Sequence, residues 1–374
     1  MFHARAETQI TFVGSRPGRM VPMKAELTRH RLLAQRLVGE PLNDPAAVVG
    51  HLGAVQSQLH DMSLWGLGRR SNTTAADVSA AFDRGEFVRT HILRPTWHHV
   101  LPSDLVDLIE LTAPRIRQLM SSNNRRDGLT PESIRAQADL AIEAIRSTGP
   151  LTRPEVEQLI IEAGFMRQGN AMAHVMIEAE LSGLIHSGPT KESGTGAKQQ
   201  TYSAANLPPS RRTPDERLAW IARTYGRGHG PFRAKDLAWW TSLTLTQARR
   251  AIELADLEPI ELAGEKHHLT EALTDVEVPG ILLLACFDEY ISYARDPDDY
   301  ALVGGEAGMV MRSSGLLFAD GALAGTWTRA IGASGVRITV ESKVSLTPNQ
   351  REEIDAEAYR YGAFVERAVD LHIK

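Results

Sequence analysis

The chain has 374 residues, of which 43% are apolar and 23% charged, and its formal net charge is -5. That length implies two or three domains at roughly 100–200 residues each, and the balance is that of a soluble globular protein. No apolar run approaches the ~18 residues of a membrane span, the N-terminus lacks the apolar core of a secretory signal, and a lone cysteine, Cys286, excludes an intramolecular disulfide and a cysteine-based zinc site.

Residues 1–22 read as a disordered extension, and Cys286 as a small core residue in a reducing cytoplasm. An amphipathic helix is expected over 25–37. A second helix, over 45–58, starts at Asn43–Asp44–Pro45, which suits an N-cap with proline in the first turn. A short helix follows at 74–84, then a hairpin over 87–100, rich in β-branched and aromatic residues and broken at Pro95. A long helix over 102–120 is closed by SSNNRRDG.

The order then recurs. Helices are expected over 131–147, 150–163 and 171–185, followed by a polar, glycine-rich tongue, HSGPTKESGTGAKQQTYS. Farther on come helices at 215–225, 233–240 and 246–255 and a hairpin at 260–269. TGPLTRPEVEQLI and HGPFRAKDLAWWT are parallel phrases: Gly-Pro, a short gap, then an amphipathic helix. Helix, turn, helix and β-tongue is the plan of a winged helix, whose later helix often enters the DNA major groove. Residues 205–250 carry nine Arg or Lys against three acids, whereas 251–310 carry two against fourteen. A net negative chain with one basic face can still bind a polyanion, because the local field decides within a Debye length. The last third reads as a buried strand at 281–287, a meander at 316–319, 322–326 and 336–340 with Asp320–Gly321 as its tight turn, and a helix over 348–368.

The chain has no phosphate-binding loop, dinucleotide fingerprint or HExxH pair, so no cofactor and no metal is expected. Asp288, Asp296, Asp298 and Asp299 fit no calcium-loop spacing and read as a solvated acidic turn. His98 and His99 are adjacent on a strand and so point to opposite faces, which disfavours joint metal ligation. Gln56–Ser57–Gln58 is the notable constellation. On a continuous helix the two amides would project about 200° apart; on an extended segment they would share a face. By composition alone they read as solvent-facing or capping residues.

The phrases LGAVQSQLHDMSLWGLGRR and VRTHILRPTWHHVLPSDL, followed in order by GPLTRPEVEQLI, GHGPFRAKDLAWWTSL, LLLACFDEYI and DGALAGTWTR, resemble the winged-helix DNA glycosylases typified by AlkZ and AlkX (YcaQ). The ordered set covers most of the chain from residue 25 onward. The resemblance implies an α+β, mainly α fold: three tandem winged helices (23–127, 128–208 and 209–272) and a C-terminal β-rich region (273–374), C-shaped around duplex DNA. It implies a monofunctional glycosylase that removes alkylated purines, N7-alkylguanine above all, and in the AlkZ branch bulky antibiotic adducts and interstrand crosslinks. A Gln-aliphatic-Gln motif carries catalysis in that branch. Gln56 and Gln58 match it, and Ser57 departs from the aliphatic middle position. Candidate DNA contacts are Arg94, Arg125, Arg126, Arg233, Arg249 and Arg250. The expected partner is double-stranded DNA, with no membrane and a monomeric chain in a bacterial cytoplasm, at the nucleoid. The alternative is a winged-helix transcription regulator without catalytic activity. It accounts for the tandem units but not for paired amides in the middle of the first.

Overall fold

The computed structural model describes residues 23–165, 170–192, 198–207, 209–210, 212–262, 264–271, 276–294 and 314–374. The expected extension at 1–22, the tip of the second unit's tongue and Asp296, Asp298 and Asp299 lie outside them.

After α1 (Met23–Ala34), the chain runs three times through helix, short strand, two helices and hairpin. The first pass is α2 (Pro45–Leu52), β1 (Val55–Gln56), α3 (His60–Ser71), α4 (Ala75–Asp83), β2 (Val88–Ile92) and β3 (Thr96–Val100). The connecting helix α5 (Pro102–Arg126) leads to α6 (Pro131–Thr148), β4 (Leu151–Thr152), α7 (Arg153–Glu162), α8 (Ala171–Leu181), β5 (Ile185–Glu192) and β6 (Lys198–Ala204). The third pass is α9 (Pro214–His229), α10 (Ala234–Thr241), α11 (Leu245–Leu254), β7 (Pro259–Leu262) and β8 (Glu265–His268), with a single bridge from Phe232 to His268 in place of the short strand. Then come β9 (Ile281–Leu284), β10 (Gly315–Ala319), β11 (Ala322–Ile331), β12 (Gly335–Ser342), α12 (Pro348–Phe364) and β13 (Ala368–Ile373). No described helix is long and apolar enough to cross a membrane.

Local chemistry explains where helices begin. Thr74, Thr152, Thr213, Thr244 and Thr347 each cap a helix whose third residue is Asp, Glu or Gln, and each pair bonds reciprocally. Such a cap contributes about 1 kcal/mol. Proline in the first turn of α6, α7, α9 and α12 pre-sets the backbone there. The Asp320–Gly321 turn has both residues at positive φ, 48° and 77°, as a tight antiparallel hairpin requires.

Helix α3 was not expected from the sequence, several ends shift by a few residues, and three boundaries differ in ways that matter here. The helix starting at Pro45 stops at Leu52 because Gly53 takes φ 81°, and a Cβ there would collide with the Thr224 side chain of α9. Residues 55–56 are therefore strand and not helix. The long helix α5 continues past Met120 to Arg126, with Pro114 inside it. The last helix ends at Phe364, and the chain closes with a strand, β13, that pairs parallel with β12.

The strands of the first two passes form one six-stranded sheet, β1-β3-β2-β5-β6-β4, joined at Arg89 opposite Ser187. A five-stranded sheet, β13-β12-β11-β10-β9, carries the C-terminal region. One core joins α2, α3 and α4 to that sheet and α12, around Trp65, Trp327 and Tyr361. A second joins β2, β3 and α5 to α9–α11, around Tyr225, Phe232 and Trp240. Val55 belongs to the first core and Ala54 to the second. The paired glutamines thus begin at the seam between two cores.

Candidate active site

Because β1 is extended, side chains alternate across it. Ser57 is fully buried, Gln56 half-buried and Gln58 exposed. Burial thus sets the two amides apart from Ser57 between them, and the segment is not helical. The segment is pinned from behind. Ser57 N–H donates to Trp97 O at 2.8 Å. Arg89 Nε donates to Ser57 O and Oγ at 3.0 and 3.2 Å, and its guanidinium stacks 4.3 Å from the Trp97 ring. A serine at the middle position therefore serves as a second acceptor for Arg89.

Gln56 is fixed from both ends. Its backbone N–H donates to Glu289 Oε1 at 2.6 Å, and its side-chain Oε1 accepts from Arg94 Nη2 at 2.8 Å. Glu289 is fully buried and also accepts from His229 Nε2 at 3.1 Å and from Trp240 Nε1 at 3.2 Å. Burial would raise this carboxyl. The His229 hydrogen bond, the charges that His229 and His98 take up in acid and the charge of Arg94 outweigh that and hold it at about 2. His229 is itself pushed below its usual range by burial. At neutral pH its uncharged ring donates Nε2–H, so the three N–H donors and Arg94 keep Glu289 ionised. A buried negative charge thus lies one hydrogen bond behind Gln56.

Asp288, expected in a solvated turn, is instead buried and paired with Arg70 at 2.7 Å. The two ion-paired groups need each other there, since a charge buried alone is costly. It also caps the short 3-10 turn Glu289–Ile291 through Tyr290 N, at 2.9 Å. Phe287 before it takes φ 58°, an uncommon conformation for a bulky residue, and this turn swings Glu289 inward. Cys286 is buried, with its thiol pushed up to about 11 by burial.

His98 lies directly across the strand pair from Gln56, on the same sheet face, and His99 lies across from Val55. Both are fully buried. His98 Nδ1 donates to Thr96 O at 3.0 Å, and burial pushes its pKa down to about 3. His99 bonds Ser63 Oγ at 2.9 Å and is held well below its usual range by burial. Both rings are neutral around pH 7.

The candidate DNA contacts fall in three different settings. Arg125 and Arg126 end α5 and are exposed, and Arg249 and Arg250 are exposed in the middle of α11. Arg250 also pairs with Asp215 and Glu253, at 3.3 and 3.4 Å. Arg94 faces Gln56. Arg233 is a correction: it is only 6% exposed and bonds Asp236, Glu265 and the Ala294 carbonyl, so it is a structural cation tying α10 to β8. Its side chain is needed there because Asp236 is fully buried. Sequence reasoning missed Glu289, His229, Trp239 and Trp240 as parts of the site. The only signal was an Asp-Glu pair directly after an apolar strand and a Trp-Trp pair on a helix.

The model of one family, the AlkZ-like DNA glycosylases, matches residues 49–364. The chain belongs to the AlkZ-like DNA glycosylase family. As an AlkZ-like glycosylase it is an enzyme that hydrolyses N-glycosidic bonds in DNA, and the purely regulatory alternative falls away. It is similar to the interstrand DNA cross-link repair glycosylase of Streptomyces sahachiroi, with 24% identity over 326 residues, 78% of this chain and 85% of that protein. Its fold is similar to the solved structure of the Streptomyces sahachiroi DNA glycosylase AlkZ, at a TM-score of 0.70 and 20% identity, covering 95% of this chain and all of that one. The mixed α+β architecture is that of the AlkZ-like fold.

Proposed function

We propose that this glycosylase excises alkylated purines from duplex DNA, N7-alkylguanine first, with Gln56 and Gln58 as its catalytic residues. The three repeated units act as winged helices around a DNA channel, and the enzyme works as a monomer and without a lyase step. Bulky adducts and interstrand crosslinks fall within its range, in keeping with the name of its Streptomyces relative. The observation that carries this reading is the end of β1, where the half-buried Gln56 and the exposed Gln58 flank the buried Ser57. Two non-ionising amides lie there, with a buried carboxylate bonded to the Gln56 backbone.

The chemistry asks little of an acid or base. An N7-alkylguanine is already cationic, so when the C1′–N9 bond breaks its electron pair neutralises the departing base. The sugar is left as an oxocarbenium-like centre. Water adds through oxygen at C1′ and releases one proton to solvent. The protein must place that water and stabilise positive charge with dipoles oriented beforehand. Two amides place the water and the nucleotide without titrating, and Glu289 behind Gln56 supplies the negative charge. An open channel also suits bases too large to be flipped into a closed pocket. Release of free N7-methylguanine from a duplex carrying one such base tests the reading.

A flat pH profile follows. With His98 at about 3 and His99 held well below its usual range by burial, these two rings stay neutral throughout the assay range. Single-turnover excision at saturating enzyme and constant ionic strength should vary little between about pH 6 and 8. A roughly tenfold fall toward pH 6, removed by His98→Ala, would make that histidine a general base and contradict the amide mechanism.

A further inference from the structure

We infer that Arg94 is a positioning residue which fixes the amide orientation of Gln56, so that Gln56 offers the nucleotide its NH2 group while Gln58 holds the water. This rests on the function proposed above and assigns different work to the two glutamines.

A guanidinium has only donors, so the amide end facing it must be the oxygen. Arg94 Nη2 meets Gln56 Oε1 at 2.8 Å, and a flipped amide would set N–H against N–H. The NH2 end is thereby turned away from Arg94. It is the end Gln56 can offer to acceptor atoms of the damaged nucleotide.

Arg94 is itself held in place. It sits in the turn between β2 and β3, where Leu93 takes φ 62° while fully buried, a strained conformation for leucine that surrounding packing must enforce. Leu93 N–H donates to Thr112 Oγ1 of α5 at 3.2 Å, and Arg94 O accepts from Thr96 N at 2.7 Å, so the turn is fixed on both sides. From the third unit, Trp239 of α10 lies under the guanidinium at 4.1 Å from the ring centre. The next residue, Trp240, bonds Glu289, which bonds the Gln56 backbone. One side chain therefore links the amide of the first unit to the helix of the third. An arginine meant only for phosphate contact has no need of this enclosure. Gln58 is exposed, two residues farther on in the bend after β1.

The test is a double-mutant comparison of Gln56→Ala, Arg94→Ala and the pair. It uses single-turnover excision of N7-methylguanine at saturating enzyme, with duplex affinity measured separately. Arg94→Ala should slow the saturating rate by about 10–100-fold, and the double variant should be no slower than Gln56→Ala by more than about 2–3-fold. Arg94→Lys, which keeps a donor, should recover part of the rate. Gln56→Glu, which keeps an oxygen for Arg94 but has no N–H, should remain at the level of Gln56→Ala. Fully additive losses, or an affinity loss with an unchanged saturating rate, would make Arg94 a phosphate contact and overturn the inference. A second readout is independent of turnover. In protein labelled with 15N-glutamine, the Gln56 NH2 signals, assigned through Gln56→Ala, should move in Arg94→Ala. Unmoved signals would overturn the orientation. If wild type released no base while those signals moved, the proposed function would fail and the orientation would stand.

Discussion

Gln58→Ala is expected to lower single-turnover excision by roughly 10²–10³-fold, the usual loss for one pre-oriented dipole acting on developing charge. Duplex affinity should stay within about threefold of wild type, because phosphate contacts supply most of the binding free energy. The two readouts separate because Gln58 is exposed in the bend after β1, beyond the residues that are fixed. Ser57 is anchored by Trp97 and Arg89, and Gln56 by Glu289 and Arg94. Truncating Gln58 removes a group that acts on the transition state and leaves that scaffold in place. Rate and affinity measured on the same duplex decide the matter. Equal losses in both would make Gln58 a binding residue and move the chemistry elsewhere.

The second large effect is expected at Glu289. Glu289→Ala should destabilise the fold by about 3–5 kcal/mol, because it strands donors in the interior. The Gln56 amide, His229 Nε2 and Trp240 Nε1 all lose their acceptor, and His229 and Trp240 are fully buried. Glu289→Gln keeps the shape and one acceptor oxygen, so it should cost less in stability. It should still slow excision, since the negative charge behind Gln56 is gone. Denaturant unfolding of both variants, with wild type alongside, checks the order. Equal, small losses of below about 1 kcal/mol would show that the three donors find other partners.

Much of the architecture was legible because it rests on local rules. Thr-x-x-Asp/Glu/Gln starts, proline in first turns and the Asp320–Gly321 turn each act within a few residues. The recurrent order of helices and hairpins could be read for the same reason. What local rules could not give is where distant residues meet. The helix from Pro45 seemed to run through to Gln58 because apolar residues continue past it; Gly53 stops it, and it does so to let α9 approach. Asp288 looked like a solvated acid, and Glu289 was given no role, because their partners, Arg70 and the Gln56 amide, lie 218 and 233 residues away. Arg233 looked like part of a basic face because composition does not show that its partner Asp236 is buried. β13, beyond the expected helix, went unread because its alternation, Ala-Val-Asp-Leu-His-Ile, is short and only partly buried. The two glutamines themselves were visible only through resemblance. Their carboxylate, their arginine and the tryptophans around them come from three separate parts of the chain.

The amide mechanism requires a leaving group that departs without an acid. Two duplexes of the same sequence, one with a single N7-methylguanine and one with a single hypoxanthine, present a cationic and a neutral base to the same site. Free base released under single-turnover conditions is measured for each, with the strands examined before and after alkali. Release of N7-methylguanine, strand cleavage only after alkali, and no release of hypoxanthine is the predicted result. Comparable release of both bases would require a proton donor that two amides cannot supply, and would contradict the mechanism.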